Sequence, residues 1–140
     1  MTPAPRAPGV ARRLACAFYD LLVAIAVLVV ATFPFVLLAG DASHGPLRHL
    51  LQAWLVAAAG TYFVFFWTRG GQTLPMKTWR IALVRAGDGG PVRLFQAVHR
   101  YLLALLSTLA LGAGFAWAWF DRDRQFLHDR LAGTALVDRR

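Results

Sequence analysis

Several features that would indicate an enzyme or a disulfide-stabilised protein are missing from this sequence of 140 residues. Glutamate is absent, so all seven acidic residues are aspartates, whose carboxylates lie close to the backbone. The single cysteine, Cys16, cannot form an internal disulfide and says nothing about the redox compartment. The sequence also lacks a glycine-rich phosphate loop and a serine–histidine–aspartate arrangement. We therefore predict that the chain is not an enzyme.

Metal and nucleic-acid sites are disfavoured as well. Four scattered histidines and one cysteine do not give the spacing of a metal site, so we predict no metal and no cofactor. A net charge of +8 and a pI near 11.3 would suggest nucleic acid as the partner of a soluble chain. Here, however, the basic residues lie almost entirely outside the apolar segments, as in proteins that face anionic lipid headgroups. The predicted partner is a lipid bilayer, not nucleic acid.

What the sequence has in excess is apolar residues. They make up 58% of the chain, against about 45–50% in soluble domains. They form three segments, at about 14–38, 50–67 and 94–120, each near the roughly 20 helical residues that a bilayer requires. We predict a disordered N-terminal lead over residues 1–11, followed by a single transmembrane domain over residues 12–140.

The polar parts of the chain predict a small β element outside the bilayer. Residues 79–85 alternate large apolar side chains with others, and the glycine-rich stretch 87–90 directly after them indicates a tight turn. Residues 134–137 are also β-friendly and could pair with 79–85. The predicted fold class is an all-α membrane protein with a helical hairpin, a third apolar helix that is broken or re-entrant, and this small cytoplasmic β element.

Charge bias predicts the orientation of the hairpin. Arginines before the first apolar segment and five basic residues within 69–93 place both regions in the cytoplasm, whereas loop 40–49 carries only Arg48. A third segment that crossed fully would leave the arginine-rich tail outside. A turn near Gly112 to Gly114 would return the tail to the cytoplasm, and we favour this second arrangement. Pro34 should kink or shorten the first helix.

Asp20 is the most informative residue because it lies within the first apolar segment. An aspartate at the centre of a membrane helix costs about 2.5–3.5 kcal/mol on insertion scales, so it should be paired or face a wet interior. We expect Arg100, which enters the third segment from the same side, to be its partner. Arg13, two helical turns earlier on the same face, is the second cation. The pair could serve only as a structural lock between helices, or it could take part in moving protons or cations.

Three separated stretches carry the remaining distinctive residues. Arg13 and Asp20 stand in the first segment, the motif Gly71-Gln72-Thr73-Leu74 with Lys77 stands in the middle loop, and His128-Asp129-Arg130-Leu131-Ala132-Gly133-Thr134 stands in the tail. With this pattern the chain resembles the RDD family of small bacterial membrane proteins, named for one arginine and two aspartates. The resemblance extends from Arg12 to Val137.

The resemblance implies roles for particular residues. Arg13 is similar to the family arginine, Asp20 to the first family aspartate, Asp129 to the second, and Arg100 to a recurring arginine. Pro75 departs from the pattern, because many members carry glycine there. We expect Arg13, Asp20, Arg100 and Asp129 to meet near the cytoplasmic interface.

The resemblance also implies a function and a location. Members are described as membrane proteins with transport of an unidentified ligand as a suggested role, and some are linked to sodium–proton exchange. We predict a multi-pass protein of the bacterial cytoplasmic membrane that transports an ion or small solute. Three apolar segments make a thin bundle, so we expect a homo-oligomer or a second membrane protein to complete it. The alternative is a non-transporting scaffold or accessory subunit with a structural Arg/Asp cluster.

Overall fold

The computed structural model describes residues 6–110, 116–117, 120 and 126–139. Within these residues the chain is mostly helical, with one two-stranded sheet. In chain order the elements are α1 (Val10–Ala39), α2 (Pro46–Thr68), α3 (Leu74–Thr78), β1 (Ile81–Arg85), α4 (Leu94–Leu109), α5 (Leu127–Ala132) and β2 (Thr134–Asp138).

The two long helices form the predicted hairpin. Helix α1 continues past Pro34 to Ala39, so this proline does not shorten the helix, and the alternative of a kink stays a prediction. It ends at Gly40, whose positive φ of 83° suits glycine, and α2 begins at Pro46, where the missing N–H of proline costs no helical hydrogen bond. The indole N–H of Trp54 donates to the carbonyl of Ala31 at 2.8 Å and joins the two helices.

Both helices are long and apolar enough to cross a membrane, and much of their apolar surface is exposed. No residue in the most apolar stretch of α1 is buried inside the protein, and Leu37 and Leu38 are 82% and 90% exposed. A soluble monomer seldom exposes an apolar surface of this extent. Both helices therefore expose far more apolar surface than the surface helices of a soluble monomer.

In the described part of the third apolar segment, helix α4 covers Leu94–Leu109 and is shorter than α1 and α2. Its 16 residues extend about 24 Å, less than the roughly 30 Å of a bilayer core. The predicted turn at Gly112 to Gly114 lies outside the described residues.

Strands β1 and β2 pair antiparallel, from Ile81 opposite Asp138 to Arg85 opposite Thr134. The predicted pairing of the middle loop with the tail is thus confirmed, although β1 begins two residues later than expected. The turn after β1 is also confirmed, since the N–H of Gly89 donates to the carbonyl of Arg85 at 2.9 Å. The pairing brings the tail back beside the middle loop.

The N-terminal lead is tied to the same sheet. The N–H of Asp138 donates to the carbonyl of Arg6 at 2.9 Å, and α1 already begins at Val10. The predicted disorder therefore does not reach residue 11, and residues 1–5 lie outside the described part of the chain. The start of α1, the middle loop and the tail consequently share one end of the molecule.

The buried core lies at this shared end. Its members come from α1, α2, α3, β1, α4, β2 and the segments just before α4 and α5. They include Cys16, Trp67, Met76, Leu83, Val92, Ala97, Phe126 and Leu136. Helices α1 and α4 each pack on α2. The space between α1 and α4, next to the core, is where the polar residues meet.

Candidate functional site

Asp20 is half-buried on α1, and its carboxylate is held by a neutral group. The buried hydroxyl of Thr73 donates to Oδ1 of Asp20 at 2.6 Å. The thiol of Cys16, one turn earlier, lies 3.9 Å from Oδ2. Among the described residues, no lysine, arginine or histidine nitrogen forms a salt bridge with this carboxylate. The expected direct pair between Asp20 and Arg100 is therefore wrong.

Arg100 pairs with Asp129 instead. Its Nε–H donates to Oδ1 of Asp129 at 2.5 Å, and both side chains are buried, that of Asp129 completely. Thr134 donates a second hydrogen bond to the same oxygen at 3.2 Å. The guanidinium of Arg100 also lies 4.2 Å from the centre of the Trp67 ring, a close cation–π contact. Arg100 faces Asp129 because α5 packs on α4.

Arg13 lies deeper in the same region, only 1% exposed, with its guanidinium 5.6 Å from the centre of the Phe126 ring. The ring of His128 stacks on the ring of Phe126, with centroids 5.3 Å apart. Burial lowers the pKa of His128 to about 4, an effect that the charge of Asp129 opposes and that of Arg100 reinforces. His128 is accordingly neutral at physiological pH.

A cavity of about 300 Å³ connects these groups. Arg13, Asp20, Arg100 and His128 all line it, whereas Asp129 stands behind Arg100. The rest of the wall comes from α1, α2 and α4 and is largely apolar or aromatic. The structure thus brings three of the four predicted cluster residues to one cavity and joins the fourth to it through an ion pair.

The loop motif holds Thr73 in position to donate its hydrogen bond to Asp20. Gly71 has a φ of 71°, and its carbonyl accepts a hydrogen bond from the N–H of Leu83 at 2.7 Å. The side-chain amide of Gln72 donates to the carbonyl of Ile81 at 2.8 Å, so two consecutive motif residues are fixed to β1. Thr73 follows at the start of α3 and is thereby aimed at Asp20.

Two other residues of the same loop, Lys77 and Pro75, lie near this site, but among the described residues neither forms a hydrogen bond with Asp20. Lys77 is exposed, and its Nζ lies 6.0 Å from the centre of the Phe66 ring. Pro75 is buried in the first turn of α3, a position where proline is tolerated. The departure from the family pattern at this residue therefore leaves the local turn intact.

The tail motif positions Asp129 in a comparable way. Gly133 ends α5 in the left-handed conformation, with φ 71° and ψ 30°. This reversal sends the chain into β2, where Thr134 reaches back to Asp129. The loop and tail motifs, far apart in sequence, thus each place a threonine where it donates a hydrogen bond to an aspartate.

One polar contact escaped the sequence analysis. Arg12, the neighbour of Arg13, binds Asp138 with two hydrogen bonds of 3.2 Å and also donates to the carbonyls of Trp79 and Arg80. It joins the start of α1 to β2 and to the two residues just before β1. Its presence beside Arg13 was visible in the sequence, but no local pattern indicates a partner 126 residues away.

The comparisons with known proteins agree with the motifs. The family model described as "RDD family" matches residues 7–133. An uncharacterized protein of Rickettsia prowazekii (strain Madrid E) is 31% identical over 77 residues, which cover 55% of this chain and 42% of the relative. This chain therefore matches less than half of that relative's length. No solved structure matches the chain at a significant level.

Proposed function

The chain belongs to the RDD family, which is membrane-associated, and we propose that it is a multi-pass protein of the bacterial cytoplasmic membrane that binds a small cation at Asp20 and takes part in its transport. The observation that carries this proposal is the carboxylate of Asp20, which borders a cavity of about 300 Å³ and accepts its hydrogen bonds from a hydroxyl and a thiol.

The hydrogen-bond partners of Asp20 favour cation binding. A carboxylate paired with arginine has its charge already compensated, and it exchanges neither cations nor protons easily. In this chain Arg100 is engaged by Asp129, so that its charge is compensated elsewhere. The carboxyl group of Asp20 lines the cavity, in a location where an uncompensated negative charge is costly. Binding a cation or a proton relieves that cost.

The distribution of charge supports the orientation. The N-terminal residues, the middle loop and the tail come together at one end, and that end contains most of the basic residues. At the other end of the hairpin, residues 40–49 carry only one lysine or arginine, Arg48 in the first turn of α2. By the positive-inside rule, the end with the sheet is cytoplasmic and faces anionic lipid headgroups. The N-terminus and the tail are then both cytoplasmic.

The cavity also suggests an assembly. Leu21, one of its lining residues, is 48% exposed, so the wall is open on the side of the lipid. A second copy of the chain, or another membrane protein, would complete that wall and give a solute a continuous path. We propose a homo-oligomer with no catalytic activity.

A scaffold or accessory role is the second candidate, and the Arg100–Asp129 pair favours it. This buried pair holds α5 against α4, and removing either partner would leave a charge without compensation in the interior. If Asp20 served only to hold α3 against α1 through Thr73, the whole polar cluster would be structural.

Flux measurements in proteoliposomes separate the two roles. A Na⁺, K⁺ or alkylammonium salt is added to the outside of proteoliposomes that contain a trapped pH-sensitive dye. We expect at least one of these cations to shift the internal pH. Asp20→Asn should lose this response at equal reconstituted amount and equal melting temperature. The matched control is Asp41→Asn in the exposed loop between α1 and α2, which should keep the response. A full response from Asp20→Asn would overturn the transport role, and a loss of folded protein alone would favour the scaffold.

A further inference from the structure

The walls of the cavity change character along α1. At one end stand Arg13, Arg100 and His128, with Asp20 next to them, and beyond Asp20 the lining is apolar. We propose that the cation bound at Asp20 is an organic ammonium ion with a hydrocarbon chain, and that this chain lies in the apolar half of the cavity. The proposal rests on the cation-binding role of Asp20 and assigns the class of its ligand.

The apolar half of the cavity has the length and the lining to hold one hydrocarbon chain. It is formed by Ala24 and Leu28 of α1, Ala59 of α2, and Ala104 and Leu105 of α4. From Asp20 to Leu28 the rise along α1 is about 12 Å. Three of the five residues are alanines, so α1 and α4 leave space between them without contributing polar atoms.

The polar group at the far end of this half is already satisfied. Thr108 lines the cavity, and its hydroxyl donates to the carbonyl of Ala104 at 2.9 Å. The slot therefore presents a hydrocarbon surface throughout, and burial of an alkyl chain there is favourable. A volume of about 300 Å³ is at the small end of the range for ligand pockets.

The surroundings of Asp20 suit an ammonium group better than a bare metal ion. Hard cations such as Mg²⁺ and Ca²⁺ require about six oxygen ligands. In the described part of the chain, no three histidine, cysteine or acidic side chains are placed to hold a metal. An alkylated ammonium needs only one carboxylate and a surrounding apolar or aromatic surface. Phe63 and Tyr101, stacked with centroids 6.3 Å apart, supply aromatic surface in the same cavity.

The order of the charges selects a cationic over an anionic headgroup. A headgroup attached to a chain in the apolar half meets Asp20 first, since Ala24 lies one helical turn away on the same face. An anion could reach Arg13 only by passing the carboxylate of Asp20.

The ligand can enter from the bilayer. Leu21 and Thr108 line the cavity and are exposed on the lipid side, so the slot opens laterally between α1 and α4. An amphiphilic cation concentrates in a membrane with anionic headgroups. It would reach Asp20 without crossing the polar layer formed by α3, the sheet and the tail.

Binding of hexyltrimethylammonium to the full chain in lipid nanodiscs tests the proposal, with binding to empty nanodiscs subtracted. Tetramethylammonium, Na⁺ and hexanesulfonate are the comparison probes. We expect hexyltrimethylammonium to bind saturably. Its affinity should rise by up to about fourfold for each methylene added to the alkyl chain, and Asp20→Asn should lower the affinity at least tenfold. Hexanesulfonate should not compete.

Two substitutions by leucine test where the alkyl chain of the ligand lies. Ala104→Leu fills the apolar half and should weaken binding of hexyltrimethylammonium while leaving tetramethylammonium unaffected. Ala57→Leu, on the exposed face of α2 outside the cavity, is the matched control and should change neither. If Asp20→Asn does not fold, this pair of variants decides the question.

The failures of the two proposals differ. If Na⁺ or tetramethylammonium binds in an Asp20-dependent manner and the length of the alkyl chain has no effect on affinity, the proposal of an alkylammonium ligand is overturned. The cation-binding role of Asp20 then survives. If hexanesulfonate binds more tightly than the ammonium probe, the order of charges has been misjudged and the assignment also falls. If no cation binding depends on Asp20, both proposals fall.

Discussion

Arg100 on α4 and Asp129 on α5 form a buried ion pair, with Nε and Oδ1 2.5 Å apart. Their separation of 29 residues includes the end of the third apolar segment, so the pair closes the chain back on itself at the end that contains the sheet. The same contact also directs the guanidinium of Arg100 to Asp129, so that Arg100 forms no ion pair with Asp20. One contact therefore both fastens the tail and leaves a carboxylate exposed to the cavity.

The first prediction concerns the strength of this pair. Asp129→Asn leaves Arg100 buried without a compensating charge, so we expect the free energy of unfolding to fall by about 3–5 kcal/mol. The matched control is Asp88→Asn, which removes the Arg85–Asp88 pair at the surface, where Asp88 is 61% exposed, and should cost at most about 1 kcal/mol. Denaturation of the purified protein in detergent measures both. Similar losses in the two variants would mean that burial does not strengthen the Arg100–Asp129 contact.

The second prediction concerns Gly71, where a side chain would meet the backbone. A Cβ there would lie 2.4 Å from the carbonyl oxygen of Leu83, and φ is 71°. Gly89 has nearly the same φ, 69°, but no atom within 4 Å of its added Cβ. We expect Gly89→Ala to cost about 1–2 kcal/mol from backbone strain alone, and Gly71→Ala to cost clearly more. Thermal melts of the two variants give the comparison, and equal costs would show that the loop yields around position 71.

The third prediction concerns the hydrogen bond between Thr73 and Asp20. Thr73→Val keeps the shape of the side chain and removes the hydroxyl, so we expect a loss of about 1.5–3 kcal/mol, the usual range for a hydrogen bond to a charged group. Thr73→Ser keeps the hydroxyl and should cost less. Unfolding measured for both variants gives the result. If serine and valine destabilise equally, packing of the threonine methyl group, not the hydrogen bond, is what matters.

The fourth prediction is a pH dependence that originates at His128. Its pKa is about 4 in the folded protein and about 6.5 when unfolded, so between these values the unfolded state binds the additional proton. Stability is therefore complete above pH 6.5 and falls as the pH drops towards 4, by an amount on the order of 3 kcal/mol. Melting temperatures measured from pH 4.5 to 7.5 should show this decline.

Replacing His128 by a ring that does not titrate isolates the effect. His128→Phe preserves stacking on Phe126 and should reduce the slope of melting temperature against pH. His99→Phe, at an exposed position on α4, is the control and should keep the slope of the unmodified chain. If both variants retain it, the decline belongs to other groups.

Sequence patterns alone determined much of the fold of this protein. Apolar runs determined the two long helices, because a run of this length has few alternatives to a helix in lipid. Alternation and turn residues predicted β1 and its turn, and β-friendly residues in the tail predicted its partner, because these signals are local. The motifs around Asp20, Thr73 and Asp129 were visible as polar or glycine residues in otherwise constrained segments.

Only the tertiary structure decided which charges meet. The sequence favoured Asp20 with Arg100, since both were expected near the same interface, but the side chain of Arg100 turns to the helix that packs beside it. Arg12 and Asp138 illustrate the same limit, because an ion pair between distant residues depends on how the elements are arranged. The cavity is also a tertiary property: it exists because α1 and α4 both pack on α2 and leave a gap between them.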